Sequence, residues 1–178
     1  MAKPLFFLHL GPEAVSAADM RESLALGGIA LPDVDDEMLE HADLEIRRTH
    51  KRAGLKRKQV EGAWARICRR AFRTRSHCFV SMPGFFGATG DQASLALDGL
   101  AGMKVILVIT SGFEAEPPTA WTSLVKEDRT HVLPSHLSAE QLAAQVARIA
   151  LIEEQSRLDK RLVKVTKRRR QVNKRLAA

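Results

Sequence analysis

Lys104-Val105-Ile106-Leu107-Val108-Ile109-Thr110 decides the fold class of this chain. The apolar run is continuous and mostly β-branched, so it fits a strand buried on both faces, the kind found in parallel sheets. Working back from it, Leu95, Ala96, Leu97 and Leu100 make the apolar side of a helix that Asp91 is expected to cap. Before that helix, Gly84 to Gly90 reads as a glycine-rich loop, and Cys78 to Met82 as a strand ended by Pro83-Gly84. Leu5 to Leu10 is a further apolar run, closed by Gly11-Pro12. Strands and helices in alternation predict an α/β fold: a mainly parallel sheet with flanking helices, joined by right-handed crossovers.

Between the first two strands the periodicity turns helical. Ser16 or Asp19 is placed to cap a helix with Met20 and Leu24 on its inner face, and Gly27-Gly28 ends it before an exit segment, Ile29 to Pro32. Asp33 to Glu45 is acidic and helix-friendly, with Met38, Leu39, Ala42 and Ile46 roughly one turn apart. Gly54 then interrupts a basic stretch. Lys58 to Phe72 predicts one amphipathic helix: Val60, Trp64, Ile67, Cys68, Ala71 and Phe72 share a face, and Arg66, Arg69, Arg70 and Arg73 fall largely on the other. Downstream, Pro117-Pro118 suits a helix start, with Trp121, Leu124 and Val125 facing inward. Ser138 with Gln141 makes a capping box for the last helix. The expected organisation is an α/β domain over 1–137 and a long helix with a basic tail over 138–178.

With 178 residues, 45% hydrophobic and 28% charged, the chain has enough apolar material for a core without disulfides or metals. Its longest apolar run, Val105 to Ile109, is far short of the ~20 residues of a membrane-spanning helix. Lys3 precedes Leu5-Phe6-Phe7-Leu8, but His9 and Gly11-Pro12 stop that run too early for a secretory signal. Cys68 and Cys78 are the only cysteines, so a cytoplasmic chain with two buried thiols is expected. Transmembrane, collagenous, disulfide-framework and wholly disordered classes do not fit.

The net charge of +7 is laid down in blocks. Residues 1–46 carry −8, residues 47–75 carry +11, residues 76–156 carry −5 and residues 157–178 carry +9. Such asymmetry points to an anionic partner, while the basic middle block also has the acidic N-terminal block to pair with inside the fold.

Within the tail, positions 151, 155, 158, 162, 165, 169, 172 and 176 step by four and three. Six of the eight are apolar, a seam with a 3.5-residue period. Lys160, Arg161, Lys164, Lys167, Arg168, Arg169, Arg170, Lys174 and Arg175 surround or interrupt it. Three uses are open: pairing with a second copy, docking on its own domain with the charge left for solubility, or lying along an anionic partner. RNA is the first candidate for that partner. No aromatic residue stands between Lys160 and Arg175 to stack bases, so nucleic-acid contact there would be to phosphates and blind to sequence.

Leu8-His9-Leu10-Gly11-Pro12 through Leu24 resembles the opening of sulfotransferase-like proteins of P-loop type, where a strand, a loop and a helix N-terminus hold a phosphate. The similarity continues in Gly84 to Leu100 followed by Val105 to Thr110, and in Trp121-Thr122-Ser123-Leu124-Val125-Lys126. It covers roughly residues 5–135; the family's later cofactor-binding segments have no counterpart. The resemblance implies a P-loop-type fold and, in a working member, a phosphoadenosine cofactor. The family's loop reads Lys-Thr-Gly-Thr-Thr, which falls without a gap on Ala14-Val15-Ser16-Ala17-Ala18. Its lysine is therefore Ala14, its helix-start hydroxyls are Ala17 and Ala18, and Glu13 adds negative charge. Ser111 to Ala120 lacks the family's arginine for the 3′-phosphate and holds Glu114 and Glu116 instead. Gly11 and Ser16 are what remains of a cofactor-binding loop.

The expectation is a non-catalytic scaffold, without a cofactor, that binds RNA or an acidic protein through Arg66, Arg69, Arg70, Arg73 and the tail. The alternatives are a phosphoadenosine-dependent sulfotransferase with an atypical loop, and an assembly subunit joined through 151–176. His9 is either a catalytic base or a hydrogen-bonded core residue. Neither His41 with His50 nor His131 with His136 has cysteine or carboxylate at a spacing that would build a zinc site, so no metal is expected. Cys78 beside His77 lacks the surroundings of a nucleophile, and Ser81 makes no Gly-x-Ser-x-Gly elbow.

Overall fold

A computed structural model describes residues 3–12, 15–112 and 116–176. Along the chain run β1 (Leu5–Leu10), α1 (Ala17–Leu26), β2 (Ile29–Ala30), α2 (Asp36–Ile46), α3 (Arg57–Val60) and α4 (Ala63–Thr74). Then follow β3 (His77–Ser81), α5 (Gly90–Asp98), β4 (Lys104–Ser111), α6 (Thr119–Thr122), β5 (Thr130–Pro134) and α7 (Ala139–Leu176). The strands form one five-stranded sheet in the order β2-β3-β1-β4-β5, and every neighbouring pair is parallel. The two most apolar strands, β1 and β4, lie side by side in its interior, as their continuous runs require.

β1 sends alternate side chains into two cores. Phe6, Leu8 and Leu10 join Leu107, Ile109, Trp64, Phe85 and Trp121 on the face covered by α2, α4, α5 and α6. Leu5 and Phe7 join Ile106, Val108, Met20, Leu24, Leu142 and Val146 on the face covered by α1 and α7. The crossover from β1 to β2 runs one way along the sheet over one face. Those that follow β2, β3 and β4 run the other way over the opposite face, so all four share a hand.

Several local expectations change. The stretch Lys58 to Phe72 is two helices, because Gly62 takes a left-handed φ of 78° between α3 and α4. The N–H groups freed there bond a carboxylate: Gly62 and Trp64 donate to Glu45 at 2.6 and 2.9 Å. Phe72, assigned to the inner face, is half-exposed at the last turn of α4, and Leu124 also points outward. Thr89, not Asp91, caps α5, in a box with Gln92. Gly84 to Gly90 is no open loop: Pro83–Gly87 is a 3₁₀ turn whose Phe85 is buried and whose Phe85 carbonyl accepts from Trp121 Nε1 at 2.8 Å. Ile29-Ala30 is no exit segment but the edge strand against β3.

Candidate functional site

The C-terminal ends of β1, β3 and β4 meet at His9, which is wholly buried. Its Nδ1 lies 2.8 Å from Ser81 Oγ and its Nε2 lies 3.0 Å from Thr110 Oγ1, while the ring stacks on Phe79. Burial pushes its pKa down to about 4, so the ring is neutral at ordinary pH, one nitrogen donating and the other accepting. Both nitrogens are engaged by hydroxyls of the flanking strands, which makes His9 a hydrogen-bonded core crosslink. Two residues further on, a Cβ at Gly11 would stand 2.1 Å from Thr110 Oγ1. Only glycine fits there.

Crossovers leave β1 and β4 in opposite directions, and the crevice at such a point is where open α/β sheets hold ligands. Ser16 lies beside it as the cap of α1, its Oγ accepting from the Asp19 N–H at 3.4 Å. A cleft of about 300 Å³ is lined there by Pro12, Val15, Ser16, Thr110, Ser135, Leu137, Ala139 and Leu142. None of these described residues is cationic. A second cleft of about 460 Å³ touches Val15 and Ser16 from the other side and includes Arg21, Asp36 and Ser81. Glu13, Ala14 and Glu114 lie outside the described residues, as does the side chain of Ala17; Glu116 is exposed.

The arginines of the basic middle block are divided. Arg47 pairs with Asp43 at 2.6 Å and Arg57 with Glu61 at 3.2 Å. Arg66 donates to the Glu61 carbonyl at 3.3 Å, and Arg70 donates to the Asp33 carbonyl with the Asp33 carboxylate 4.0 Å away. Part of this charge is therefore held by acidic residues of the same fold. Arg69 and Arg73 are exposed and make no ion pair among the described residues.

Helix α7 opens with the expected box, Ser138 and Gln141 exchanging bonds of 3.0 and 3.2 Å. Its first three turns bury Leu142, Ala143, Val146, Ile149 and Ala150. A polar clamp ends the docking: Glu153 pairs with Lys104, and Arg157 donates to the Lys3 carbonyl at 2.7 Å and to Glu154 at 3.3 Å. Sequence reasoning missed this clamp; its one local signal is the Glu153-Glu154 pair just ahead of the basic run. From Leu158 on, every described side chain is exposed, seam and cations alike. Leu158 is 54% exposed, Leu162 66%, Val165 64% and Val172 48%. Docking of the seam on its own domain is thus overturned, since a different stripe of the helix does that work. Lys160, Arg161, Lys164, Lys167, Arg168, Arg169 and Arg170 all face solvent. Lys174 and Arg175 lie on the helix, with side chains outside the described residues.

Cys68 and Cys78 are both buried; burial pushes Cys68 up to about 12 and raises Cys78 as well, so neither is poised as a thiolate. Among the described residues no three His, Cys, Asp or Glu side chains gather to hold a metal, and no helix is long and apolar enough to cross a membrane. Compared with known proteins, the chain gives no significant match to any family model, curated protein or solved structure. The sulfotransferase resemblance therefore rests on the residues quoted for it.

Proposed function

We propose that the chain is a non-catalytic binding protein on a sulfotransferase-like scaffold, and that the free part of α7 grips an anionic macromolecule. One observation carries this: from Leu158 onward the helix leaves its domain with Lys160, Arg161, Lys164, Lys167, Arg168, Arg169 and Arg170 all in solvent. The helix has 38 residues and is about 57 Å long at 1.5 Å per residue. Cations at successive positions point all round the helix axis, so a polyanion meets charge from any approach, and their attraction reaches ~10 Å at 0.1 M salt. Arg69 and Arg73 offer a second, smaller basic patch. The reading without a cofactor is supported by the strand ends, where His9 is saturated and Gly11 is closed by Thr110. The cleft beside Thr110 has no cationic residue among its described lining, and the second cleft sets Asp36 against its one cation, Arg21.

The test is charge neutralisation. Lys164, Lys167, Arg168, Arg169 and Arg170 are replaced together by glutamine, and Arg69 and Arg73 separately, with labelled oligouridylate and polyglutamate as probes. The tail variant is expected to lose at least about tenfold in affinity, and the Arg69/Arg73 variant much less. Binding untouched by the tail substitutions, or no binding of either probe at low salt, would refute the proposal. Calorimetry with adenosine 3′,5′-bisphosphate addresses the enzyme alternative: no heat is expected, and micromolar binding would put a sulfotransferase first.

A further inference from the structure

We infer that the exposed seam of α7 receives an acidic amphipathic helix from a partner protein. This rests on the anionic-partner reading for its charge and goes beyond it in assigning the apolar contact. Helix α7 carries two apolar stripes, not one. The first, through Leu142, Val146 and Ile149, is buried against the domain and continues to Glu153, which reaches Lys104. At ~100° per residue, Leu158 and Leu162 stand about 140° and 180° round the helix from Glu153. The second stripe therefore faces away from the domain, and Leu158, Leu162, Val165 and Val172 are all exposed along it.

A phosphate backbone would use the cations and leave Leu158, Leu162, Val165 and Val172 in water. A helix with its own apolar seam covers them by knobs-into-holes packing. The seam's charge decides which helix. Leu151, Leu158, Val165 and Val172 take the d positions of a heptad repeat, and Gln155, Leu162 and Arg169 the a positions. The g flank then holds Arg161 and Arg168. In a parallel pair of identical chains Arg169 would meet its own copy in the core, and in an antiparallel pair Arg161 and Arg168 would face their like. The described free segment, 158–173, holds seven basic residues against Asp159. A second copy is repelled in either direction, whereas a partner helix with glutamates on its flanks turns the clash at Arg161 and Arg168 into ion pairs and sets no second cation against Arg169.

The experiment uses the full chain and a labelled four-heptad peptide with leucine at a and d and glutamate on its flanks. A scrambled peptide of the same composition and an oligouridylate are the controls. The patterned peptide is expected to bind at least about tenfold more tightly than the scramble. The variant Leu158→Ser/Leu162→Ser/Val165→Ser, whose substituted positions are all exposed, is expected to abolish that preference and leave oligouridylate binding unchanged. Circular dichroism checks that its helix content is kept, and sedimentation is expected to give a monomer without peptide. Equal binding of patterned and scrambled peptides, indifference to the seam substitutions, or a tail-dependent dimer would overturn the inference. If oligouridylate binds while the peptide pattern is not read, this inference fails and the anionic-partner reading stands. If no anionic probe binds, both fall.

Discussion

His9 sets the chemistry of the strand ends, because a neutral imidazole joins Ser81 and Thr110 across three strands. Its folded pKa of about 4 lies below the ordinary 6.5. Between those values the unfolded chain holds a proton that the folded chain refuses, so stability rises with pH across that window and is lost as pH falls from 6.5 toward 4. The whole shift is worth about 3 kcal/mol. Burial lowers His77 and His131 too, which steepens the same acid limb. Urea unfolding across this range is expected to show a shallower acid limb for His9→Gln than for the parent chain; identical slopes would contradict a buried neutral imidazole. Next to it, Gly11→Ala drives a methyl to within 2.1 Å of Thr110 Oγ1. It is expected to cost about 2 kcal/mol. Thr110→Ala in the same chain is expected to restore part of that loss, so the two costs should fall short of additivity in unfolding titrations. None of this closure was legible in the sequence. Gly11 and its turn were plain, but the side chain that fills the space lies far along the chain on another strand, and no local pattern reports a tertiary approach.

At the scale of elements, α7 shows how two stripes on one helix divide the work. Leu142→Ala opens a cavity in the core against β1 and β4 and is expected to cost about 3 kcal/mol, whereas Leu162→Ala, on a 66% exposed residue, is expected to stay within ~0.5 kcal/mol. Thermal or urea unfolding of the two variants tells them apart, and equal losses would mean that the seam is docked after all. The 3.5-residue period was visible from sequence, but periodicity shows only that a stripe exists, not what covers it. A similar limit applies to α3 and α4. Their shared apolar face reads as one helix because Val60 and Trp64 keep helical spacing across Gly62, and the carboxylate that stabilises the break comes from Glu45 on α2. The strands divide by burial. β1 and β4 are buried along almost all their length and were read correctly, while β5, half-buried at the sheet edge, shows neither alternation nor a continuous run. β2 has two residues, too few for any pattern.

For the molecule as a whole, the charge blocks acquire a geometry. The acidic N-terminal block holds part of the basic middle block through Asp43–Arg47 and Asp33–Arg70, whereas the basic tail has only Asp159 of opposite sign along it. The tail was therefore the legible part of the candidate site. The structure adds where the domain lets go: Arg157 is still tied to Lys3, so a cut after Leu158 spares the clamp. That cut removes nine basic residues and one acidic residue, taking the net charge from +7 to −1. The shortened chain is expected to keep its thermal midpoint, since its core is untouched. The decisive measurement is the affinity of the full and shortened chains for labelled oligouridylate and for the acidic four-heptad peptide, each across a range of salt. The expected result is binding by the full chain that weakens as salt rises, and none by the shortened chain. Equal binding by the two chains, or affinity in the full chain that ignores salt, would contradict a function carried by the free end of α7.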